Sequence, residues 1–175
     1  MRGLQERGAV AALSRVRRLA LTLVVAAAVV VADQVTKSAA LHHLHRPVHL
    51  VGPLGLALQE NTGSAFSLFT GDGTVLAVVA GFLAVGVVWL AWQSRGVPMT
   101  IATGLVLGGA VGNLADRIGR GRVVDFITLS HWPTFNIADA CITVGVVLAA
   151  ALFLWSPAAS GERRAHRTRP HPADT

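Results

Sequence analysis

The stretch RVVDFITLSHWPTFNIADA, residues 122–140, connects two long apolar segments and contains two aspartates. Asp125 and Asp139 lie fourteen positions apart, in a neighbourhood rich in Val, Ala, Leu and Gly. An ionisable group in or beside a membrane span is costly, and it marks a candidate functional site. The stretch therefore predicts a membrane-embedded fold with polar chemistry at one end of its last helix.

The composition is typical of a membrane protein with one domain. Of the 175 residues, 53% are hydrophobic and 14% are charged, whereas about a quarter of the residues in a soluble domain are charged. The formal net charge is +6, and nine of the 15 Lys and Arg residues lie in two terminal tails that flank the apolar segments. Basic tails beside apolar spans indicate the cytoplasmic side of a membrane. We therefore predict membrane lipid as a partner and no nucleic acid.

Four segments are apolar and long enough, at about 20 residues, to cross a bilayer as helices. They are residues 19–41, 74–92, 97–115 and 137–155. An even number of crossings places both termini on the same side, which the arginine-rich tails identify as the cytoplasm. We predict an α-helical membrane domain over 19–155, with a basic tail at 1–18 and a second basic, disordered tail at 156–175.

The two longer connections, 42–73 and 116–136, then face the outside. The first contains short Val- and Leu-rich runs broken by Gly-Pro, a pattern typical of a small hairpin or sheet. In the third apolar segment, Gly104, Gly108 and Gly112 recur every four residues. This spacing puts them on one face, where they form a groove in which another helix can lie close.

The first apolar segment has two interpretations. A basic start, an apolar middle and small residues near the end also fit a cleaved signal peptide. Asp33 and Lys37 favour a retained helix, because residues four positions apart can pair on one helix face.

The two aspartates of the opening stretch each have an ordinary structural explanation. Asn136 and Asp139 have the spacing of a capping box at a helix start, and Asp125 is placed to pair with Arg117 or Arg122. The functional alternative is that the two carboxylates face each other and share one proton, since like charges at close range do not both ionise easily. The ionised member then takes a proton from water while the protonated member polarises a peptide carbonyl, as in aspartic proteolysis.

Other chemistries have weaker support. The four histidines within 42–49 have no acidic or Cys partner at ligand spacing, so we predict no metal site. Ser64 and His131 lack the motif of a serine-hydrolase elbow. Cys141 lies at an apolar helix start, where packing explains it.

Four blocks resemble, in order and spacing, the signature blocks of lipoprotein signal peptidase, the signal peptidase II family of bacteria. They are DQVTK at 33–37, ENTGSAFSLF at 60–69, GGAVGNLADRIGRGRVVDFI at 108–127 and FNIADACITVG at 135–145. One block alone is a weak signal, but the four together are highly specific and span most of the chain apart from its tails. The resemblance implies a polytopic inner-membrane aspartic endopeptidase. Its substrates are diacylglyceryl-modified prolipoproteins, cut just before the lipidated cysteine.

The resemblance also implies an architecture. It comprises four transmembrane helices, a small outer β-cradle from the first connection and a short outer surface helix. The active site faces the outside, and the reaction requires neither a metal nor an organic cofactor. We expect the chain to act as a monomer.

Carried over by position, the resemblance implies roles for particular residues. Asp125 and Asp139 match the catalytic pair. The residues that match the lining of the substrate site are Asn61, Asn113, Arg117 and Asn136. The residues expected to give structural support are Asp33, Lys37 and Asp116.

Two other classes of protein provide alternative functions. A small transporter or proton-coupled permease would use Asp33, Lys37, Asp116 and Asp139 as a relay. The carboxylates are expected to cluster at one membrane face, which argues against such a relay. A non-catalytic membrane scaffold would use its polar residues only to cap helices.

Overall fold

The computed structural model describes residues 2–61, 85–86 and 96–155, with side chains described from residue 13 onward. Apart from residues 85–86, the predicted span 74–92 lies outside this part of the chain, as does the predicted tail 156–175. Within the described residues, three helices are long and apolar enough to cross a membrane. They are accompanied by one small antiparallel sheet.

Helix α1 runs without interruption from Arg2 to His43. It begins well before the predicted span, so the basic residues of 1–18 extend the same helix. The part Leu13–His43 is long and apolar enough to cross a membrane. The predicted pairing of Asp33 with Lys37 is confirmed, with 2.8 Å between Oδ2 and Nζ.

Helices α2 and α3 begin where the apolar segments predict. Helix α2, Val97–Arg120, has Pro in its first turn and is followed by Gly121 in the left-handed region at φ 70°, as is common after a helix end. It continues past the predicted end at residue 115, so the connection 116–136 starts with a helical turn. Helix α3 spans Ile137–Leu154.

The predicted glycine groove on α2 is confirmed, and it faces α1. A Cβ atom on Gly108 would lie 2.6 Å from the carbonyl oxygen of Ala26, and one on Gly112 would lie 2.7 Å from Oδ2 of Asp33. The successive contacts advance together along both helices, so α1 and α2 run parallel. The lack of side chains at these glycines lets the two backbones approach closely.

Helix α3 packs on the other side of α2 and runs antiparallel to it. A Cβ on Gly109 would meet the carbonyl oxygen of Ala138 at 2.5 Å, and one on Gly145 would meet that of Ala102 at 2.8 Å. Helix α2 therefore lies between its two neighbours.

The three helices bury polar groups and expose apolar ones. Large apolar side chains on α1 and α3, such as Val24 and Val147, are exposed, whereas Asp33, Lys37 and Asn113 are buried. Lipid solvates an apolar exterior, while buried polar groups must find partners inside. The pattern is that of a helical membrane protein.

The sheet contains strands β1 (Val48–Val51), β2 (Leu54–Asn61), β3 (Val123–Leu129) and β4 (Trp132–Phe135), in that spatial order. The first connection was expected to form a β-cradle, and β1 and β2 lie in it, but β3 and β4 of the same sheet come from the second connection. A two-stranded hairpin is marginal by itself, and β2 completes it by pairing with β3. No separate surface helix occurs in residues 2–61 or 96–155, and the remainder of connection 42–73 lies outside the described part.

Candidate active site

A buried ion cluster joins α1 to α2. The ammonium group of Lys37 lies 2.8 Å from Oδ2 of Asp33, 2.9 Å from Oδ2 of Asp116 and 3.0 Å from Oδ1 of Asn113. The two aspartates and the lysine are fully buried. Such a cluster is tolerated in a low-dielectric interior only when every charge is paired and hydrogen-bonded.

The two aspartates of this cluster also hold the neighbouring elements. Oδ1 of Asp33 accepts a 3.0 Å bond from the backbone N–H of Ala138, in the first turn of α3. Oδ2 of Asp116 accepts a 3.1 Å bond from the backbone N–H of Val124, in β3, and its Oδ1 pairs with Arg120 one turn further along α2. The ion cluster therefore ties three helices and strand β3 to one point.

Strand β3 is held on its other side by Asn136. The carbonyl oxygen of Val124 accepts a 3.3 Å bond from Nδ2 of Asn136, which follows β4 directly. Buried backbone groups require partners, and Val124 obtains both of its partners from side chains. This arrangement fixes the backbone beside Asp125.

The capping box predicted for α3 is confirmed. Oδ1 of Asn136 accepts a 3.0 Å bond from the backbone N–H of Asp139, while Oδ2 of Asp139 accepts a 3.2 Å bond from the backbone N–H of Asn136. The cap fixes the carboxylate of Asp139 at the positive end of the helix. The capping interpretation is thus compatible with a functional role for the same carboxylate.

Two asparagine amides connect the carboxylates of Asp125 and Asp139. Nδ2 of Asn136 donates to Oδ1 of Asp125 at 2.7 Å and to Oδ1 of Asn113 at 3.1 Å. Nδ2 of Asn113 in turn donates to Oδ1 of Asp139 at 2.8 Å. The structure therefore brings the two aspartates into one hydrogen-bonded network.

The carboxylate of Asp125 is hydrogen-bonded to asparagine side chains. The sequence-based interpretation that it pairs with Arg117 or Arg122 is therefore wrong. Oδ2 of Asp125 accepts a 3.1 Å bond from Nδ2 of Asn61 on β2, and Asn136 occupies its Oδ1. Arg122 pairs instead with Glu60 at 2.9 Å, and Arg117 donates to a backbone oxygen of its own helix. A nearly buried carboxylate with neutral donors is suited to exchange a proton.

The protonation of Asp125 is set by its surroundings. Burial raises the pKa of its carboxyl from 3.8 to about 6, and the charge of Asp139 acts in the same direction. The hydrogen bonds from Asn61 and Asn136 and the charge of Lys37 oppose this rise. Near neutral pH, Asp125 therefore exchanges between its protonated and ionised forms, as one member of a proton-sharing pair must.

The residues predicted for the site are not equally engaged. Asn113 and Asn136 are buried and their amides hold the two carboxylates, whereas Asn61 and Arg117 are half-buried. Arg117 donates to the carbonyl oxygen of Asn113 at 3.3 Å. The geometry supports a positioning role for the two buried amides, and Asn61 and Arg117 remain the candidates for substrate contact.

Gln34 is a site residue that the sequence did not single out. Its Nε2 donates at 3.2 Å each to Oδ2 of Asp33, Oδ1 of Asp116 and the carbonyl oxygen of Gly112. Its place inside the block DQVTK was the available signal. Among the described residues, no group of three or more His, Cys, Asp and Glu side chains is arranged to hold a metal ion.

Most of the chain is similar to known proteins. Residues 25–155 match the family described as signal peptidase (SPase) II. A lipoprotein signal peptidase of Mycolicibacterium smegmatis is 40% identical over 148 residues, which cover 79% of this chain and 63% of that protein. A lipoprotein signal peptidase of Rhodococcus jostii is 40% identical over 157 residues, which cover 85% and 79% of the respective chains.

The fold also matches solved structures. A bacterial membrane enzyme determined by the in meso method at 1.9 Å resolution superposes with a TM-score of 0.67 and 28% identity, covering 77% of this chain and 93% of that one. A second such structure, at 2.3 Å resolution, gives a TM-score of 0.64 and 25% identity over 87% and 94% of the two chains. The family match covers most of the sequence, including both aspartates and the network around them. This chain therefore belongs to the signal peptidase II family.

Proposed function

We propose that the chain is an aspartic endopeptidase of the bacterial cell membrane. Its substrates are diacylglyceryl-modified prolipoproteins, which it cuts just before the lipidated cysteine. Removal of signal peptides from prolipoproteins is the reaction of the family to which the chain belongs. The observation that carries the proposal is the network in which Asn136 and Asn113 connect Asp125 to Asp139.

The proposed reaction needs one proton on the pair and one water molecule. The ionised carboxylate takes a proton from water, the hydroxyl oxygen bonds to the scissile carbonyl carbon, and the carbonyl oxygen takes the proton of the second carboxyl. The resulting gem-diol collapses when the first carboxyl protonates the amine nitrogen and the C–N bond breaks. One hydroxyl proton returns to the second carboxylate, so the pair regains its starting state.

The proposed topology has four crossings, with both termini in the cytoplasm and the site at the outer face. The parallel course of α1 and α2 supports it, because a chain that leaves the membrane at His43 must return to the opposite side before Val97. The uncharged segment 74–92 is the sequence candidate for that return. The arginines near the start of the apolar part of α1 lie at the end opposite to the site, as expected for a cytoplasmic end.

The substrate has to be extended where it is cut. A helical carbonyl is already hydrogen-bonded, and lipid offers no partner to the backbone groups that unwinding frees. Asn61 at the end of β2 and Arg117 at the outer end of α2 are both half-buried. Asn61 bonds to Asp125, and Arg117 bonds to the carbonyl oxygen of Asn113, whose amide holds Asp139. We propose that Asn61 and Arg117 bind the exposed backbone and the polar groups of the substrate.

The test is cleavage of a lipid-modified prolipoprotein by Asp125→Asn and Asp139→Asn at equal expression in membranes. Each variant keeps the shape of the side chain but cannot carry or transfer the shared proton, so we expect turnover to fall by at least about 100-fold. Thr143→Val is a matched control. Within the described residues, its hydroxyl bonds to the carbonyl oxygen of Asp139, one turn away on α3. Near-normal turnover by either Asp→Asn variant would refute the paired mechanism, and ion flux without cleavage would favour a transporter.

A further inference from the structure

Lys37 is a buried cation that the proposed reaction does not use. An ammonium group has three N–H donors and no acceptor. All three find oxygen acceptors between 2.8 and 3.0 Å away, on Asp33, Asp116 and Asn113. Two of these acceptors are carboxylates that balance charge, but the third is a neutral amide that leads directly to Asp139.

Two donors, the ammonium group of Lys37 and Nδ2 of Asn136, meet Oδ1 of Asn113 and determine which way this amide faces. Because Lys37 can only donate, Asn113 must present Oδ1 to it, and Nδ2 then points to Oδ1 of Asp139 at 2.8 Å. A flipped amide would place its NH2 group against the ammonium and its oxygen against the carboxylate. Both contacts would be repulsive, so Lys37 holds the donor of Asn113 on Asp139.

The amide of Asn136 is oriented by a different group. The backbone N–H of Asp139 occupies its Oδ1, which turns its Nδ2 towards Asp125. Asp139 therefore receives one amide N–H and one backbone N–H at the positive end of α3, where it is half-buried. Asp125 also receives two N–H groups, both from amides, but it is almost fully buried on a strand away from any helix N-terminus. Negative charge is better accommodated on Asp139 than on Asp125.

We propose that Lys37 is a positioning residue that acts through Asn113 to make Asp139 the carboxylate that takes the proton from water, with Asp125 as the acid. This inference rests on the proposed function and adds the direction of proton transfer to it. Asp139 gains the water proton as the C–O bond forms, and Asp125 gives its own proton to the carbonyl oxygen. When the C–N bond breaks, Asp139 passes its proton to the amine.

Lys37 acts here through the amide and not through net charge. The ionisable groups on the elements packed against the pair are Asp33 and Lys37 on α1, Asp116, Arg117 and Arg120 on α2, Glu60 on β2, Arg122 just before β3, and Cys141 on α3. Within this set Lys37 and Arg120 offset Asp33 and Asp116, and Arg122 offsets Glu60. A variant that removes Lys37 together with one of its anions therefore keeps the buried charge balanced.

The experiment compares Lys37→Met/Asp33→Asn, Lys37→Met and Asn113→Asp with the unchanged enzyme in the same lipid. The double variant guards against misfolding, because Asp116 keeps Arg120 and the amide oxygen introduced at position 33 can still accept from the N–H of Ala138. Asn113→Asp keeps an acceptor for Lys37 but cannot donate to Asp139. Thr36→Ala is the control, since the bonds of the Thr36 hydroxyl in the described part of the chain go to backbone oxygens of its own helix. The measurements are kcat and KM per folded enzyme between pH 4 and 9.

We expect kcat to fall by at least about 30-fold in the double variant and in Asn113→Asp, with KM within about threefold. The acidic limb of the rate profile should move to higher pH by about one unit in both. A kcat within threefold of the unchanged enzyme and an unmoved acidic limb would overturn the inference, as would a change in KM alone. If Asp125→Asn or Asp139→Asn still cleaves normally, the proposed function fails instead. If both are inactive while the Lys37 and Asn113 variants keep kcat, only this inference fails.

Discussion

Asn61 and Asp125 lie diagonally across strands β2 and β3, with Asn61 Nδ2 3.1 Å from Asp125 Oδ2. A β-bulge creates this relationship, because Ala57 and Leu58 on β2 together oppose Phe126 alone on β3. In a regular ladder without the extra residue, Glu60 and not Asn61 would share the face of Asp125. The bulge therefore places a neutral donor beside the carboxyl where a second carboxylate would otherwise stand.

Replacing Asn61 with Leu should move the alkaline limb of kcat/KM to higher pH. The Asn61 bond favours the ionised form of Asp125, so its loss raises the pKa of that carboxyl above its present value of about 6. The protonated form needed as the acid then persists to higher pH. The measurement is kcat/KM between pH 5 and 9, which reports the ionisations of the free enzyme.

Glu60→Gln is the matched control for this change. Glu60 is adjacent in sequence but is exposed and pairs with the exposed Arg122, a contact worth about 0 to 1 kcal/mol. We expect its pH profile and stability to match those of the unchanged enzyme. An alkaline limb that stays in place in Asn61→Leu would contradict the assigned bond between Asn61 and Asp125.

As pH rises from about 4 to about 6, the folded state should lose stability because the buried carboxyl of Asp125 ionises. The pKa of this carboxyl is about 6 in the folded chain and 3.8 ordinarily, so folding favours its protonated form. Asp125 therefore contributes roughly 2 to 3 kcal/mol to the free energy of unfolding. This contribution is fully present below the ordinary pKa and is lost as pH rises through the folded-state pKa. The side chain introduced by Asp125→Asn is uncharged at every pH, so the stability of this variant should depend less on pH than that of the unchanged enzyme.

Thermal unfolding of both proteins in one detergent, measured from pH 4 to pH 7, tests this linkage. We expect the difference between them to grow in favour of Asp125→Asn as pH rises. A difference in unfolding temperature that is constant from pH 4 to pH 7 would show that burial does not raise the pKa of Asp125.

The structural features that could be predicted from the sequence depend on the spacing of residues along a single helix. In each case the residues concerned are three or four positions apart. The sets are the pair Asp33 and Lys37, the cap formed by Asn136 and Asp139, and the groove at Gly104, Gly108 and Gly112. Residues at that spacing share one helix face whatever the rest of the chain does. A local rule was therefore enough to predict each of them.

The contacts that complete the site are long-range, and no periodicity encodes them. Asn61 meets Asp125 only because β2 pairs with β3, and a hydrogen bond from Val124 to Asp116 requires the strand to lie against the end of α2. The same limit explains why strands β3 and β4 of the second connection could not be predicted as part of the sheet. The family resemblance indicated that these residues belong together, but not which atoms would meet.

Gly108→Ala should destabilise the fold by about 1 to 3 kcal/mol, the usual cost of overpacking. The new methyl group would lie 2.6 Å from the carbonyl oxygen of Ala26, and backbone atoms cannot move aside as a flexible side chain can. Gly119→Ala on the same helix is the control, since among the described residues no atom beyond its chain neighbours and its own helix backbone lies within 4 Å of the added Cβ. It should be neutral or stabilising by up to about 1 kcal/mol, the helix propensity of Ala over Gly.

The test compares Gly108→Ala with Gly119→Ala in two measurements, the unfolding temperature and the cleavage rate at a permissive temperature. Separation of α1 from α2 would also lengthen the contacts of Lys37, so Gly108→Ala should lose activity as well as stability. Equal unfolding temperatures for the two variants would show that α1 does not pack against this face.

Replacing Arg117 with Gln should raise KM by about tenfold and leave kcat within about threefold, the pattern expected when an interaction is equally strong in ground and transition states. Within the described part of the chain, its hydrogen bond is to the carbonyl oxygen of Asn113. A guanidinium group has five N–H donors, which leaves donors for the substrate that we propose to bind at this end of α2. Arg122→Gln is the control, because Arg122 pairs with Glu60 at the exposed edge. Steady-state cleavage of a lipid-modified prolipoprotein measures both constants. A fall in kcat without a rise in KM would place Arg117 in the chemical step instead of in substrate binding.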